Sequence, residues 1–129
     1  MNEIQQRVRS AVEAALDKKA FDLDVLSVEG LTSIADYFIL CSATNERQTG
    51  AIADGIDQRL REAHATRPRY VEGTNVGRWI LMDYGDFIVH VFTEECRKFY
   101  SLERLWGDAP NATPDFVPQG DRERQQTGR

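Results

Sequence analysis

The chain has 129 residues, of which 41% are apolar and 29% are charged, a composition typical of a globular protein with one well-formed core. Its formal net charge of −5 disfavours broad, direct binding to nucleic-acid phosphates, which requires clustered Lys and Arg side chains. An acidic surface suits a basic protein partner better.

The first predicted element is a helix over residues 2–19. Asn2 and Gln5 have the spacing of a capping box, and apolar residues recur behind them at helical spacing. Residues 22–28 alternate with a period of two, which predicts a strand. Residues 36–42 form an apolar run of strand length, which predicts a second strand that is buried on both faces.

A second helix is predicted over residues 45–64, with Asn45 or Thr44 as its N-cap. The loop that follows contains a candidate short strand at 69–72. A strongly apolar hairpin comes next, and a short helical stretch is predicted near 94–106. This order of helices and strands predicts a single compact α/β domain with a mixed β-sheet flanked by helices.

The C-terminal segment has a different composition. Three of the four prolines in the chain lie beyond Gly107, and only Phe116 and Val117 in this segment resemble core residues. Such a composition is typical of a disordered segment. We therefore predict a folded domain over residues 1–110 and a disordered tail over residues 111–129.

The hairpin lies within residues 78–95, RWILMDYGDFIVHVFTEE. Tyr84 and Gly85 are predicted to form its two-residue turn, because Gly85 can adopt the positive φ angle that such turns need. That register places Asp83 opposite Asp86, where the two like charges repel each other. We expect this repulsion to destabilise the free hairpin slightly.

The two faces of the predicted hairpin differ in composition. One face is wholly apolar and is assigned to the core; it carries Ile80, Met82, Phe87, Val89 and Val91. The other face mixes aromatic, apolar and acidic side chains; it carries Trp79, Leu81, Asp83, Asp86, Ile88 and His90. Here Trp79 is predicted to lie opposite His90, and an aromatic anchor beside acids is typical of a protein-docking surface. The alternative is that Asp83 and Asp86 are ordinary solvated turn residues and that the C-terminal segment covers Trp79.

Catalytic and metal-binding patterns in the sequence are weak. Asp83, Asp86 and His90 could ligate a metal ion, but such groups of carboxylates and imidazoles often arise by chance. The sequence contains no P-loop, and no Ser-His-Asp or Cys-His arrangement stands out. We therefore predict no catalytic residue, no metal and no cofactor.

The cysteines and the apolar runs bear on the compartment. Cys41 and Cys96 stand alone rather than in a CxxC motif, which favours reduced thiols in a reducing compartment. No N-terminal stretch has the pattern of a signal peptide, and no apolar run approaches the roughly 18 residues of a membrane-spanning helix. These features predict a cytoplasmic protein without membrane contact.

Three segments resemble the ribosomal silencing factor family, also called the Iojap family. They are SIADYFILCSATNERQ at 33–48, RWILMDYGDFIVHVF at 78–92 and EECRKFYSLERLWGDAP at 94–110. The resemblance covers about residues 1–110. It implies a mixed sheet with helices, related to the nucleotidyltransferase fold. It also implies a protein that is not an enzyme and has no cofactor.

The resemblance further implies a function in translation. Members of the family bind the large ribosomal subunit through its ribosomal protein fourteen (uL14), on the face where the small subunit docks. Bound there, they sterically block subunit joining and repress translation when nutrients are scarce. The resemblance implies no direct, specific contact with nucleic acid, and it implies a homodimer when the protein is free.

The docking patch carried over by position from the family consists of Trp79, Asp83, Tyr84, Asp86, His90, Glu94, Arg97 and Tyr100. Two alternatives remain open. One is a nucleotidyltransferase-like enzyme, although the second helix opens with SATNERQ and lacks the Gly-Ser pair that such enzymes use. The other is a dimeric adaptor for a different basic protein.

Overall fold

The computed structural model describes residues 1–117, so the part of the predicted tail in 118–129 lies outside the described residues. Five strands form one sheet in the order β1-β2-β5-β4-β3. Their bounds are β1 Phe21–Ser27, β2 Tyr37–Ala43, β3 Tyr70–Glu72, β4 Trp79–Asp83 and β5 Phe87–Thr93. β2 and β5 are parallel, and the other neighbouring strands are antiparallel. The predicted mixed sheet is therefore confirmed.

Two long helices and three short ones complete the described part of the domain. Their bounds are α1 Glu3–Asp17, α2 Glu46–His64, α3 Glu94–Tyr100, α4 Leu102–Leu105 and α5 Thr113–Phe116. The helices predicted over 2–19 and 45–64 correspond to α1 and α2, and both are confirmed. Within residues 1–117, no helix has both the length and the apolar composition to cross a membrane.

The N-terminal caps explain where the long helices begin. Asn2 and Gln5 form a complete capping box on α1. On α2 the side chain of Asn45, rather than that of Thr44, accepts a hydrogen bond from the backbone N–H of Gln48 at 2.9 Å. Each cap satisfies a backbone donor that the first turn of a helix leaves without an intrahelical partner.

The sheet separates two apolar clusters. The face that packs against α1 and α2 is called the helix-covered face; its fully buried side chains include Val12, Ile39, Ile56, Phe87 and Val91. The opposite face, which packs against residues of α3 and α4, is called the aromatic face; its buried side chains include Val28, Phe38, Leu40 and Phe92. β2 contributes to both clusters, so its predicted burial on both faces is confirmed.

The hairpin turn is formed by Gly85 and Asp86, so the predicted turn of Tyr84 and Gly85 is wrong. The backbone N–H of Tyr84 donates to the carbonyl oxygen of Phe87 at 3.0 Å, which makes these residues the last pair before the turn. Gly85 has a φ of 85° at the first loop position, where a type II′ turn takes glycine. This register stacks the rings of Tyr84 and Phe87, whose centroids are 4.9 Å apart.

The corrected turn changes the cross-strand pairs. Asp83 does not lie opposite Asp86, and Trp79 lies opposite Phe92 rather than opposite His90. The predicted repulsion between opposed acids is therefore wrong. Because the shift is by two residues, each strand side chain keeps its predicted face. The assignment of the apolar face to the core is confirmed, since all of its members are buried.

The C-terminal segment joins the domain further along the chain than predicted. The backbone N–H of Val25 donates to the Thr113 side-chain oxygen at 2.9 Å. Phe116 and Val117 are only 4% and 1% exposed. Residues 111–117 are therefore part of the fold, and the predicted start of the tail at residue 111 is wrong. The physical reason is that β1 is an edge strand, whose backbone groups need partners that this segment supplies.

Candidate docking surface

The residues of the predicted docking patch lie in two separate places. Trp79, Glu94 and Tyr100 line an open groove of about 930 Å³, called here the aromatic groove. Its other lining residues include Val76, Arg78, Cys96 and Phe99. Asp83 and Asp86 lie at the opposite end of the hairpin. The structure therefore brings only part of the predicted patch together in one groove.

Trp79 is held in the aromatic groove by other aromatic side chains. Its indole is half-buried, and its ring centroid lies 5.1 Å from that of Phe92 and 5.1 Å from that of Tyr100. The indole Nε1 donates a hydrogen bond to Nδ1 of His90 at 3.1 Å. These contacts hold the ring in one orientation. Less side-chain entropy is therefore lost when a partner binds.

His90 lies in the apolar cluster beneath the indole rather than on the surface. It is 6% exposed, and its ring stacks on Phe92 with an angle of 10° between the rings. Burial lowers the pKa of His90 to about 4, so the imidazole is uncharged at neutral pH. Because Nδ1 accepts from Trp79, Nε2 carries the hydrogen. In the described residues, this buried Nε2 has no hydrogen-bond partner.

Helix α3 presents two aromatic side chains to solvent. Phe99 is 81% exposed and Tyr100 is 55% exposed, and their ring centroids are 5.0 Å apart. Thr93 caps the start of the helix with its side chain, and Ser101 ends it with a φ of 48°. The helical stretch predicted near 94–106 is therefore divided at Ser101 into α3 and α4.

Phe99 and Val76 are absent from the predicted patch, although both are strongly exposed in the groove. Val76 is 65% exposed and lies in the loop before β4. No sequence signal marks Phe99 as exposed, because adjacent helical residues can both be buried, as Ala11 and Val12 of α1 are. No sequence signal marks Val76 either.

Arg97 is the buried member of α3, at 9% exposure. Its guanidinium forms ion pairs with Asp24, at 2.9 Å, and with Glu103. It also donates to the hydroxyl of Ser42 at 3.0 Å and to the backbone carbonyl oxygen of Asp22. Burial raises the pKa of Asp24, and the charge of Arg97 opposes that rise. Arg97 therefore ties α3 to β1, β2 and α4.

The acids at the hairpin turn have local partners. A side-chain oxygen of Asp83 accepts from the backbone N–H of Gly85 at 2.7 Å, which is ordinary turn chemistry. Asp86 forms an ion pair with Arg7 of α1 at 2.8 Å. Tyr84 is 5% exposed on the helix-covered face, away from the aromatic groove, and burial raises the pKa of its hydroxyl.

The charges around the aromatic groove are mostly acidic. Glu94 and Glu95 lie in the first turn of α3, and Arg78 is 3.9 Å from Glu46 at the start of α2. Across residues 1–117, no group of three or more His, Cys, Asp or Glu side chains could hold a metal ion. An aromatic floor with an acidic rim suits the side chains of a basic protein.

Comparison with known proteins gives one consistent result. The family model described as "Ribosomal silencing factor during starvation" matches residues 1–129. A ribosomal silencing factor of Bacillus subtilis is 41% identical over 109 residues, which are 84% of this chain and 92% of that protein. The chloroplastic Iojap protein of Zea mays is 35% identical over 111 residues, which are 84% of this chain and 46% of that protein. The crystal structure of a Chromobacterium violaceum protein matches the fold with a TM-score of 0.79 and 36% identity, and the match covers 82% of this chain and 88% of that one.

Proposed function

The chain belongs to the ribosomal silencing factor family, and we propose that it silences ribosomes by binding the large subunit through uL14. Bound to uL14, it sterically blocks the joining of the small subunit and represses translation in the cytoplasm when nutrients are scarce. The description of the family, which names starvation, supports this setting.

The observation that carries this proposal is the exposed aromatic groove. Large aromatic side chains that cluster on a protein surface mark a site of interaction with a partner. Trp79, Phe99 and Tyr100 are aromatic anchors of the kind that dominate binding free energies. Glu94 and Glu95 complement the positive charge of a basic ribosomal protein and increase the rate of encounter.

The residues carried over from the family take different roles in this proposal. The exposed and half-exposed ones contact uL14 directly: Trp79, Asp83, Asp86, Glu94 and Tyr100. The buried ones hold the contact residues in place from below: Tyr84, His90 and Arg97. Phe99 joins the contact set, because it is the most exposed large apolar side chain in the described residues.

The proposed mechanism is steric and needs no catalytic step. A protein that occupies the joining face of the large subunit excludes the small subunit for as long as it stays bound. The lifetime of the complex with uL14 then sets the duration of silencing, and that lifetime depends mainly on the anchor residues of the groove. Neither a cofactor nor a direct contact with nucleic acid is required.

We also propose that the free protein is a homodimer. Leu105 is 74% exposed on α4 and does not line the aromatic groove, and burying it against a second copy removes apolar surface from water. Light scattering coupled to gel filtration should give the mass of a dimer for the wild type and the mass of a monomer for Leu105→Ser. A wild type that is monomeric at all concentrations contradicts this part of the proposal.

Sedimentation through a sucrose gradient tests the proposed partner. The protein should co-sediment with purified large subunits and not with small subunits, and it should bind isolated uL14. Equal binding to both subunits, or binding to neither, contradicts the proposal.

A matched pair of variants tests the groove itself. Phe99→Ser removes an exposed apolar side chain from the groove, whereas Ile34→Ser removes one, 60% exposed, from the loop between β1 and β2. Both variants should remain folded. Only Phe99→Ser should weaken co-sedimentation with large subunits, and an equal effect of the two variants argues against the groove as the docking surface.

A further inference from the structure

The indole N–H of Trp79 already has a partner inside the protein. It donates to Nδ1 of His90 at 3.1 Å, on the side of the ring that faces the aromatic cluster. A partner that reaches this tryptophan therefore does not meet its hydrogen-bond donor. What the indole offers is its carbon framework, which forms apolar contacts and attracts cations.

The stability of the folded protein does not by itself explain why a histidine occupies position 90. Its direct neighbours in the sheet are Leu40 on β2 and Leu81 on β4, and Phe38 packs edge-on against its ring with centroids 5.4 Å apart. The buried Nε2–H has no hydrogen-bond partner in the described residues, which disfavours the folded state. An apolar side chain of similar size would remove this unpaired donor, but it would leave the indole N–H of Trp79 without its acceptor.

We propose that His90 is a positioning residue for docking, which holds the Trp79 indole with its N–H turned inward so that the carbon surface of the ring meets the partner. The inference rests on the proposed function and adds the residue that orients its anchor. It also defines the chemistry of contact at the anchor: an apolar or cationic side chain of uL14 lies against the indole, and no hydrogen-bond acceptor is recognised there.

Two substitutions of His90 separate a positioning role from a structural one. His90→Leu removes the acceptor but keeps an apolar side chain that fits the cluster. His90→Asn keeps an acceptor close to the position of Nδ1. His90→Leu should change the melting temperature little, because it removes the unpaired Nε2–H but leaves the indole N–H without an acceptor. It should weaken large-subunit binding by about tenfold, the size of one net hydrogen bond. His90→Asn should bind more tightly than His90→Leu.

The indole N–H resonance reports the hydrogen bond directly. The chain has two tryptophans, so Trp106→Phe assigns the Trp79 signal in a proton–nitrogen spectrum. That signal should move in His90→Leu and remain closer to the wild-type position in His90→Asn. A Trp79 signal that is unchanged in His90→Leu overturns the proposed positioning.

A double-mutant cycle tests whether His90 acts through Trp79. Trp79→Phe has no N–H to orient, so His90→Leu should cause no further loss of binding in that background. Wild-type binding by a folded His90→Leu protein, or the same tenfold loss in the Trp79→Phe background, overturns the inference. If His90→Leu does not fold, wild-type binding by Trp79→Phe overturns it instead.

The binding results differ if the proposed function itself, rather than only the role of His90, is wrong. In that case the wild type itself does not bind large subunits, and no variant of His90 or Trp79 changes that outcome. The docking role of His90 is then overturned together with the function.

Discussion

The two faces of the sheet differ in what their side chains are needed for. The helix-covered face consists almost entirely of apolar side chains packed against α1 and α2, and stability alone explains it. The aromatic face contains the buried imidazole of His90, the half-buried indole of Trp79 and, on α3, the exposed ring of Phe99. The imidazole leaves a buried donor unpaired and the Phe99 ring stays in water, so stability alone does not explain them, and we propose that the aromatic face carries the function.

The contrast between the two faces can be tested by removing one phenylalanine from the helix-covered face and one from α3 on the aromatic face. Phe87 is fully buried on the helix-covered face, so Phe87→Ala should lower the free energy of unfolding by about 3–5 kcal/mol. Phe99→Ala should change it by less than about 0.5 kcal/mol, because the ring is exposed. Urea unfolding measures both values. A large destabilisation by Phe99→Ala would show that α3 contributes to the core and would remove the contrast.

The pH dependence of stability should differ between the wild type and His90→Leu. Burial lowers the pKa of His90 from 6.5 to about 4, so the unfolded chain binds this proton more readily than the folded one. The stability that belongs to neutral His90 is fully present above pH 6.5 and is lost as the pH falls toward 4. By pH 5 the loss should be about 2 kcal/mol.

Chemical unfolding at pH 7 and pH 5 measures this loss. The drop in unfolding free energy should be larger for the wild type than for His90→Leu, in which the titrating group is absent. Carboxyl groups elsewhere titrate in both proteins and cancel in the comparison. Identical drops would mean that His90 is not the buried, neutral group described here.

Trp79→Ala tests the anchor of the aromatic groove. If Trp79 is a central contact, binding to large subunits should weaken by about 2 kcal/mol or more, which is roughly thirtyfold. Circular-dichroism melting should show a folded variant, because the indole is only half-buried. A folded Trp79→Ala protein that binds normally argues against the role. A protein that fails to fold would instead assign Trp79 to the core.

The smallest expected effect concerns the acids at the hairpin turn. In the variant with Asp83→Asn and Asp86→Asn, the asparagine at 83 can keep the turn hydrogen bond, while the part-buried ion pair with Arg7 is lost. Stability should fall by about 1 kcal/mol, the size of one net hydrogen bond. If the acids contact uL14, binding should weaken at low salt, and the difference should fade at high salt. Superimposable salt titrations of the variant and the wild type would leave the acids as turn chemistry only.

The elements that could be predicted from sequence are those in which apolar residues recur at a regular spacing or form one continuous run. Helices α1 and α2 each have an apolar stripe and a capping residue, and β2 is one continuous apolar run. A local pattern of this kind is enough to identify the type of element. The segments that resemble the family identified the family correctly, because they are long and ordered along the chain.

The hairpin register could not be predicted, because the contact that selects it leaves no repeating pattern in the sequence. A turn at Tyr84 and Gly85 and a turn at Gly85 and Asp86 both place a glycine in a two-residue loop, and a shift by two keeps every strand side chain on its face. The choice between them depends on packing of the Tyr84 ring against Phe87 in the core. Packing of this kind becomes visible only in three dimensions.

The order of residues 111–117 and the burial of Arg97 could not be predicted for a related reason. Residues 111–117 have a weak pattern of their own, and they are ordered because β1 is an edge strand that accepts them. Arg97 resembles an exposed helical arginine in the sequence, yet Asp24 and Glu103 pair with it beneath α3. In both cases the partner is distant in sequence, so the role of the residue depends on the tertiary fold.

A subunit-joining assay tests whether the protein keeps the two ribosomal subunits apart. Purified small and large subunits are mixed at a magnesium concentration that allows joining, and light scattering follows the formation of complete ribosomes as the protein is added. The wild type should keep the subunits apart in a dose-dependent manner, and folded Phe99→Ser should do so only weakly. Normal joining in the presence of wild-type protein that is demonstrably bound to the large subunit would contradict this expectation.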